Sequence, residues 1–145
     1  MKKIISLSVL FLSLLFLTSC KKKLTLTIQS GTVEGDTKSE KGFYLKGKPK
    51  IRINGLKSDD TFVWSNDTTL VLRRRNNNAV TFDCWCVIGT GGCSTIITTT
   101  SGSPLSFTSG RLIPGLGAVD IACVESGCEG CASLIVTDFN QVVIK

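Results

Sequence analysis

The stretch LTLTIQ, Leu24 to Gln29, alternates apolar and polar side chains with a period of two. That is the pattern of a strand with one face in a core and the other in water. Short runs rich in Val, Ile and Thr recur at Phe43–Leu45, Lys50–Ile53, Thr61–Trp64, Thr69–Arg73, Ala79–Val87 and Ser94–Thr100, then at Leu105–Thr108, Ala118–Cys123, Ala132–Thr137 and Val142–Lys145. Turn-forming residues separate many of them: Asn54-Gly55, Ser65-Asn66-Asp67, Asn76-Asn77-Asn78, Gly89-Thr90-Gly91-Gly92 and Ser101-Gly102-Ser103-Pro104. The segment from Gly31 to Gly42 is polar and contains glycine, so it predicts a linker or long loop. Outside the first twenty residues no window sustains a 3.6-residue apolar repeat. These features predict an all-β domain, a small antiparallel sandwich or open barrel of short strands.

The first twenty residues follow a different pattern. Lys2 and Lys3 precede an uncharged apolar run from Ile4 to Leu17, interrupted only by Ser6, Ser8 and Ser13. At about 1.5 Å per residue this run is too short for a bilayer core of roughly 30 Å. It predicts an N-terminal signal helix for export. Leu17-Thr18-Ser19-Cys20, placed directly after that run, resembles the lipobox of bacterial lipoproteins. The resemblance implies cleavage before Cys20, a diacylglycerol on its sulfur and acylation of its amine. Two or three acyl chains, at about 0.8 kcal/mol per buried methylene, would hold the protein on a membrane. Lys21, Lys22 and Lys23 follow as a tether suited to anionic headgroups. In that family an Asp after the acylated Cys favours the inner membrane; Lys21 therefore implies the outer one, on its periplasmic or surface side. The expected organisation is a signal peptide over 1–19, a lipidated N-terminus with first strand and linker over 20–42, and a β domain over 43–145.

Cysteine usage points to the same compartment. Of seven cysteines, assigning Cys20 to lipid leaves Cys84, Cys86, Cys93, Cys123, Cys128 and Cys131, all within the last 62 residues. An even set in an exported domain predicts up to three disulfides, with fifteen pairings open. Cys84 and Cys86 share one face of a strand, which makes a bond between them strained. A two-residue turn at Gly89-Thr90 would place Cys86 opposite Cys93, giving an expected Cys86–Cys93 bond and directing Cys84 towards the 123–131 segment.

Other chemistry is thinly represented. Cys123-Val-Glu-Ser-Gly-Cys128-Glu-Gly-Cys131-Ala resembles the plant-type ferredoxin loop in its C-x4-C-x2-C spacing. The chain ends 14 residues after Cys131, however, with no fourth downstream ligand. Cys128-Glu-Gly-Cys131 is followed by strand-forming residues, whereas a reactive C-x-x-C needs a helix N-terminus. Zinc would need a second half-site beyond this one. No metal or cofactor is therefore expected. The chain has no His, which removes the Ser–His and Cys–His nucleophilic sites. Asp59 with Asp60, and Glu125 with Glu129, are the candidate carboxylate pairs for glycosidase chemistry; adjacent acids in turns are more often solvated. Arg73, Arg74 and Arg75 are candidates for binding an anion or acidic glycan, or for blunting an exposed edge strand. Trp64 and Trp85 are expected to pack in the core or against disulfides. Removing residues 1–19 takes Lys2 and Lys3 and leaves 15 basic against 11 acidic residues, a net charge of +4. Neither that charge nor export suits a nucleic-acid partner. The expected function is a non-enzymatic envelope lipoprotein that binds a protein or glycan or has a structural role. The alternative is an envelope redox or metal protein built on the cysteine cluster.

Overall fold

Among the described residues ten strands carry the domain: β1 (Leu24–Glu34), β2 (Phe43–Asn54), β3 (Thr61–Trp64), β4 (Leu70–Arg73), β5 (Ala79–Ile88), β6 (Gly92–Thr99), β7 (Ser109–Arg111), β8 (Ala118–Ser126), β9 (Gly130–Thr137) and β10 (Val142–Ile144). The computed structural model describes residues 23–75, 78–105, 109–111, 117–137 and 142–145. The expected signal helix, Cys20 and residues 106–108 of the strand expected at Leu105–Thr108 lie outside them. Among the described residues no helix is long and apolar enough to cross a membrane.

All ten strands belong to one open sheet, and β2 is its fold line. Phe43–Gly47 pairs with β9, whereas Lys50–Asn54 pairs with β8. The change of partner falls at Gly47-Lys48-Pro49. Gly47 adopts a φ of +97°, a conformation that costs glycine little. Proline, with no N–H to donate, is tolerated where a ladder is interrupted. Opposite this bend β1 has register shifts between Ile28, Ser30 and Thr32, so both strands turn together. Ser30 Oγ donates to the Lys48 carbonyl and ties the two bends.

One leaf of the folded sheet runs β7-β3-β4-β5-β9 and the first half of β2; the other runs β6-β8, the second half of β2, β1 and β10. Their facing sides form a single core. Phe43, Leu45, Phe62, Leu70, Leu72, Val80, Phe82 and Ile135 come from the first leaf; Leu24, Leu26, Ile51, Ile53, Ile97, Val119 and Ile121 come from the second. Each fully buried side chain of this kind contributes about 1.5–3 kcal/mol relative to exposure. Thr95 on β6 donates its hydroxyl to the Thr68 carbonyl, linking the β3–β4 loop to the opposite leaf.

One buried charge lies on the outer side of the second leaf. Asp120 sits between Val119 and Ile121, so alternation points it away from the core, yet it is only 2% exposed. Arg52, its register partner on β2, donates Nε to Oδ1 at 2.8 Å and Nη2 to Oδ2 at 3.1 Å. Lys50 Nζ lies 3.7 Å from Oδ2. The forked hydrogen bond from Arg52 outweighs the cost of burial and holds the Asp120 carboxyl below its usual range. A lowered folded-state value means stabilisation that is complete above the ordinary carboxylate range and lost as pH falls through the lowered value. Asp120→Asn is therefore expected to lose about 1–3 kcal/mol at neutral pH. Urea titrations at a series of pH values should show the gap from wild type closing below about pH 4; a gap independent of pH would contradict this role for Asp120.

Candidate functional site: a cystine spine

The crease of the folded sheet is where the cysteines meet. Besides the bends of β1 and β2, two turns pass from leaf to leaf there: β5 to β6 through Gly89–Gly91, and β8 to β9 through Gly127–Glu129. The turns touch backbone to backbone. A Cβ added to Gly91 would overlap the carbonyl group of Gly127, and Gly92 bridges to Gly127. Only glycine allows such an approach.

Three disulfides lock this crease. Cys84 on β5 bonds Cys123 on β8, Cys86 on β5 bonds Cys128 in the second turn, and Cys93 on β6 bonds Cys131 on β9. Their Cα atoms are 5.7, 5.8 and 6.1 Å apart, within the ordinary span for cystine. Each bond joins residues 38 to 42 positions apart; closing one such loop removes about 4 kcal/mol of chain entropy from the unfolded state. Cys84 thus bonds within the 123–131 segment, as expected, although the Cys86–Cys93 pairing that led to that expectation is not formed.

The expected Cys86–Cys93 bond is not made. That pairing assumed β5 and β6 to be one hairpin, but β5 pairs with β4 and β9, and β6 pairs with β8. Gly89–Gly91 is a corner between leaves, so Cys86 and Cys93 are not cross-strand neighbours. Sequence could not reveal this, because a glycine-rich tetrapeptide suits a hairpin and a corner equally.

The three cystines adjoin one another. The sulfurs of Cys86, Cys93 and Cys128 lie within 4.8 Å of each other, as do those of Cys93, Cys123 and Cys131. Paired as disulfides, they offer no thiolate to a metal; reduced, either trio would present three soft ligands. Cys86 is the half-buried member, whereas the other five are at most 7% exposed.

Cys123, Cys128 and Cys131, the three positions of the ferredoxin-like spacing, each bond a cysteine from outside that segment. Beside the spine, a cavity of about 10 Å³ is lined by Leu45, Pro49, Phe82, Thr95, Cys123 and Ser133, among others. It has room for about one water molecule.

The remaining candidates lie elsewhere. Arg74, whose side chain is 10% exposed, pairs with Asp60 at 3.1 Å and donates to the Gly55 carbonyl at 2.6 Å. Asp60 also accepts from the Lys57 amide, so this pair fastens the loop between β2 and β3. Arg75 meets Asp59 at 3.0 Å in an exposed pair, and Arg73 faces water. Each acid of the Asp59/Asp60 candidate therefore engages an arginine. Trp64 packs against the core. Trp85 instead faces outward from the first leaf and meets Tyr44 edge-on, with ring centroids 5.9 Å apart.

Two features escape the sequence: Asp120 with Arg52, and the Gly91–Gly127 contact. Alternation marks Asp120 and Arg52 as outward-facing, but which strands lie side by side is not written in any one strand. Fold and site define a class, an all-β domain folded about a cystine spine. Comparison of the chain with protein families, curated proteins and solved structures finds no match.

Proposed function

We propose that the protein is an envelope lipoprotein, anchored through acylated Cys20 and carrying a non-enzymatic β domain that binds a protein or glycan partner or has a structural role. The observation that carries this reading is the fate of the cysteines. All six that follow Cys20 are joined in three disulfides, and the seventh closes the lipobox-like Leu17-Thr18-Ser19-Cys20. Disulfides suit an oxidising compartment outside the cytoplasm. Lys21 after the acylated residue favours the outer membrane. The lack of His and the arginine pairing of Asp59 and Asp60 support a role without catalysis.

Expression of Cys20→Ser in a bacterial host with a lipoprotein pathway tests the anchor. The wild type is expected to incorporate labelled fatty acid and to partition into detergent. The variant should lose the label and stay in the aqueous phase. Equal labelling of both proteins would overturn the assignment.

A second reading, a redox or metal protein, draws on the sulfur trios within 4.8 Å. It requires the disulfides to open under the conditions of its environment. Thiols titrated on protein taken directly from the envelope decide between the two, with none expected for the lipoprotein reading.

A further inference from the structure

The point where the tether joins the domain is built into a cationic end. A Cβ on Gly55, at the close of β2, would overlap the carbonyl of Lys23, so the chain enters β1 directly against this glycine. The Gly55 carbonyl accepts from Arg74, which also holds Asp60. Tether junction, the 55–60 loop and the end of β4 therefore move as one body. Both leaves end here, opposite the crease: Thr25 pairs with Asn54, and Thr61 with Arg73.

The charges at this end are unevenly spent. Asp60 is buried and neutralises Arg74. Lys23, Lys57 and Arg73 are exposed and make no ion pair among the described residues. Arg75 is 87% exposed in its pair with Asp59, and such a surface pair is weak enough to exchange for another anion. Nearer the crease, by contrast, Lys50 is drawn to Asp120, Lys46 pairs with Glu34 on the neighbouring β1, and Glu125 and Glu129 lie about the second turn.

We propose that the end bearing Lys23, Lys57, Arg73 and Arg75 is a seat for anionic lipid headgroups, which holds the domain upright with its cystine spine away from the bilayer. This rests on the anchor reading. Lys23 lies three positions after Cys20, with only Lys21 and Lys22 between them, a reach of at most about 11 Å. That is comparable to the screening length of roughly 8–10 Å at ordinary salt, so these cations feel the charge of the surface to which the lipid tethers them. Each such cation strengthens attachment about fivefold.

The test is amine footprinting of the mature protein, extracted from envelopes and reconstituted into vesicles. One set is phosphatidylcholine alone and the other contains roughly one-third phosphatidylglycerol, enough to create a negative surface potential. On anionic vesicles acylation of Lys57 should fall about fivefold or more, while Lys48, at the crease, is unchanged. Protection should disappear in high salt and in Arg73→Glu/Arg75→Glu, whose melting temperature verifies its fold. Equal labelling of Lys57 on both vesicle types, or protection that survives the double substitution, overturns the seat. Failure of the anchor reads differently: the protein would not float with vesicles of phosphatidylcholine alone. Flotation with the anionic set, and its loss in the double variant, would then still decide the seat.

Discussion

Replacing Cys93 and Cys131 together by alanine is expected to lower the stability of the domain by about 2–5 kcal/mol, enough to leave much of it unfolded at 37 °C. This bond joins β6 of one leaf to β9 of the other. Among the described residues β6 pairs only with β8 in the ladder, so without the cystine its hold on the first leaf rests on the Gly89–Gly91 turn, the core contacts of Ile97 and the Thr95–Thr68 hydrogen bond. Both cysteines are buried, at 7% and 0% exposure, and the double change leaves a void as well as a longer unfolded loop. The matching change at Cys86 and Cys128 should cost less. Cys86 is already half-buried, and its partner lies in a turn and not in a strand. Urea unfolding of the two double variants, with the remaining bonds oxidised, measures the difference. Equal losses, or a greater loss at Cys86–Cys128, would show that burial of the cystine does not set its contribution.

Gly91→Ala is expected to be nearly as damaging, at about 3 kcal/mol. The added methyl would overlap the Gly127 carbonyl, and the obstacle is backbone, which cannot rotate aside. Separating the two turns would also move Cys128 and Cys93 apart, since each lies within two residues of the contact or next to it. Thermal unfolding should show the loss, and refolding from the reduced state should yield mispaired isomers. Gly117→Ala is the control: among the described residues nothing lies within 4 Å of the place its methyl would take, so its effect should stay within about 0.5 kcal/mol. A Gly91→Ala protein that melts like Gly117→Ala would show that the turns do not meet in solution.

Several elements were legible from short Val/Ile/Thr-rich runs set between turn residues. Thr61–Trp64 has the expected bounds, and the strands at Ala79, Ala118 and Val142 begin where expected, because β-branched and aromatic side chains favour the pleated strand. β2 was not legible. Gly47-Lys48-Pro49 carries the composition of a turn and split the expected element in two, whereas here glycine and proline serve a bend within one strand. The first part of the expected linker, Gly31 to Glu34, is strand for a related reason. Its pairing with Tyr44–Lys46 is supplied by the partner strand and not by its own polar side chains. In the site, the number of disulfides was readable because the six cysteines after Cys20 form an even set. Their partners were not, because pairing depends on which strands cross the crease. Arg74 illustrates the same limit: three adjacent arginines look alike in sequence, and only the Asp60 and Gly55 contacts set the middle one apart.

The most direct measurement is the intact mass of the protein extracted from envelopes, taken after alkylation under denaturing conditions, with and without prior reduction. The lipoprotein proposal predicts a chain beginning at Cys20, with diacylglycerol and acyl additions and no alkyl group before reduction. After reduction it should carry six alkyl groups, one for each sulfur of the three disulfides. A chain that retains residues 1–19, or one in which Cys20 itself takes up the alkylating reagent, would contradict it.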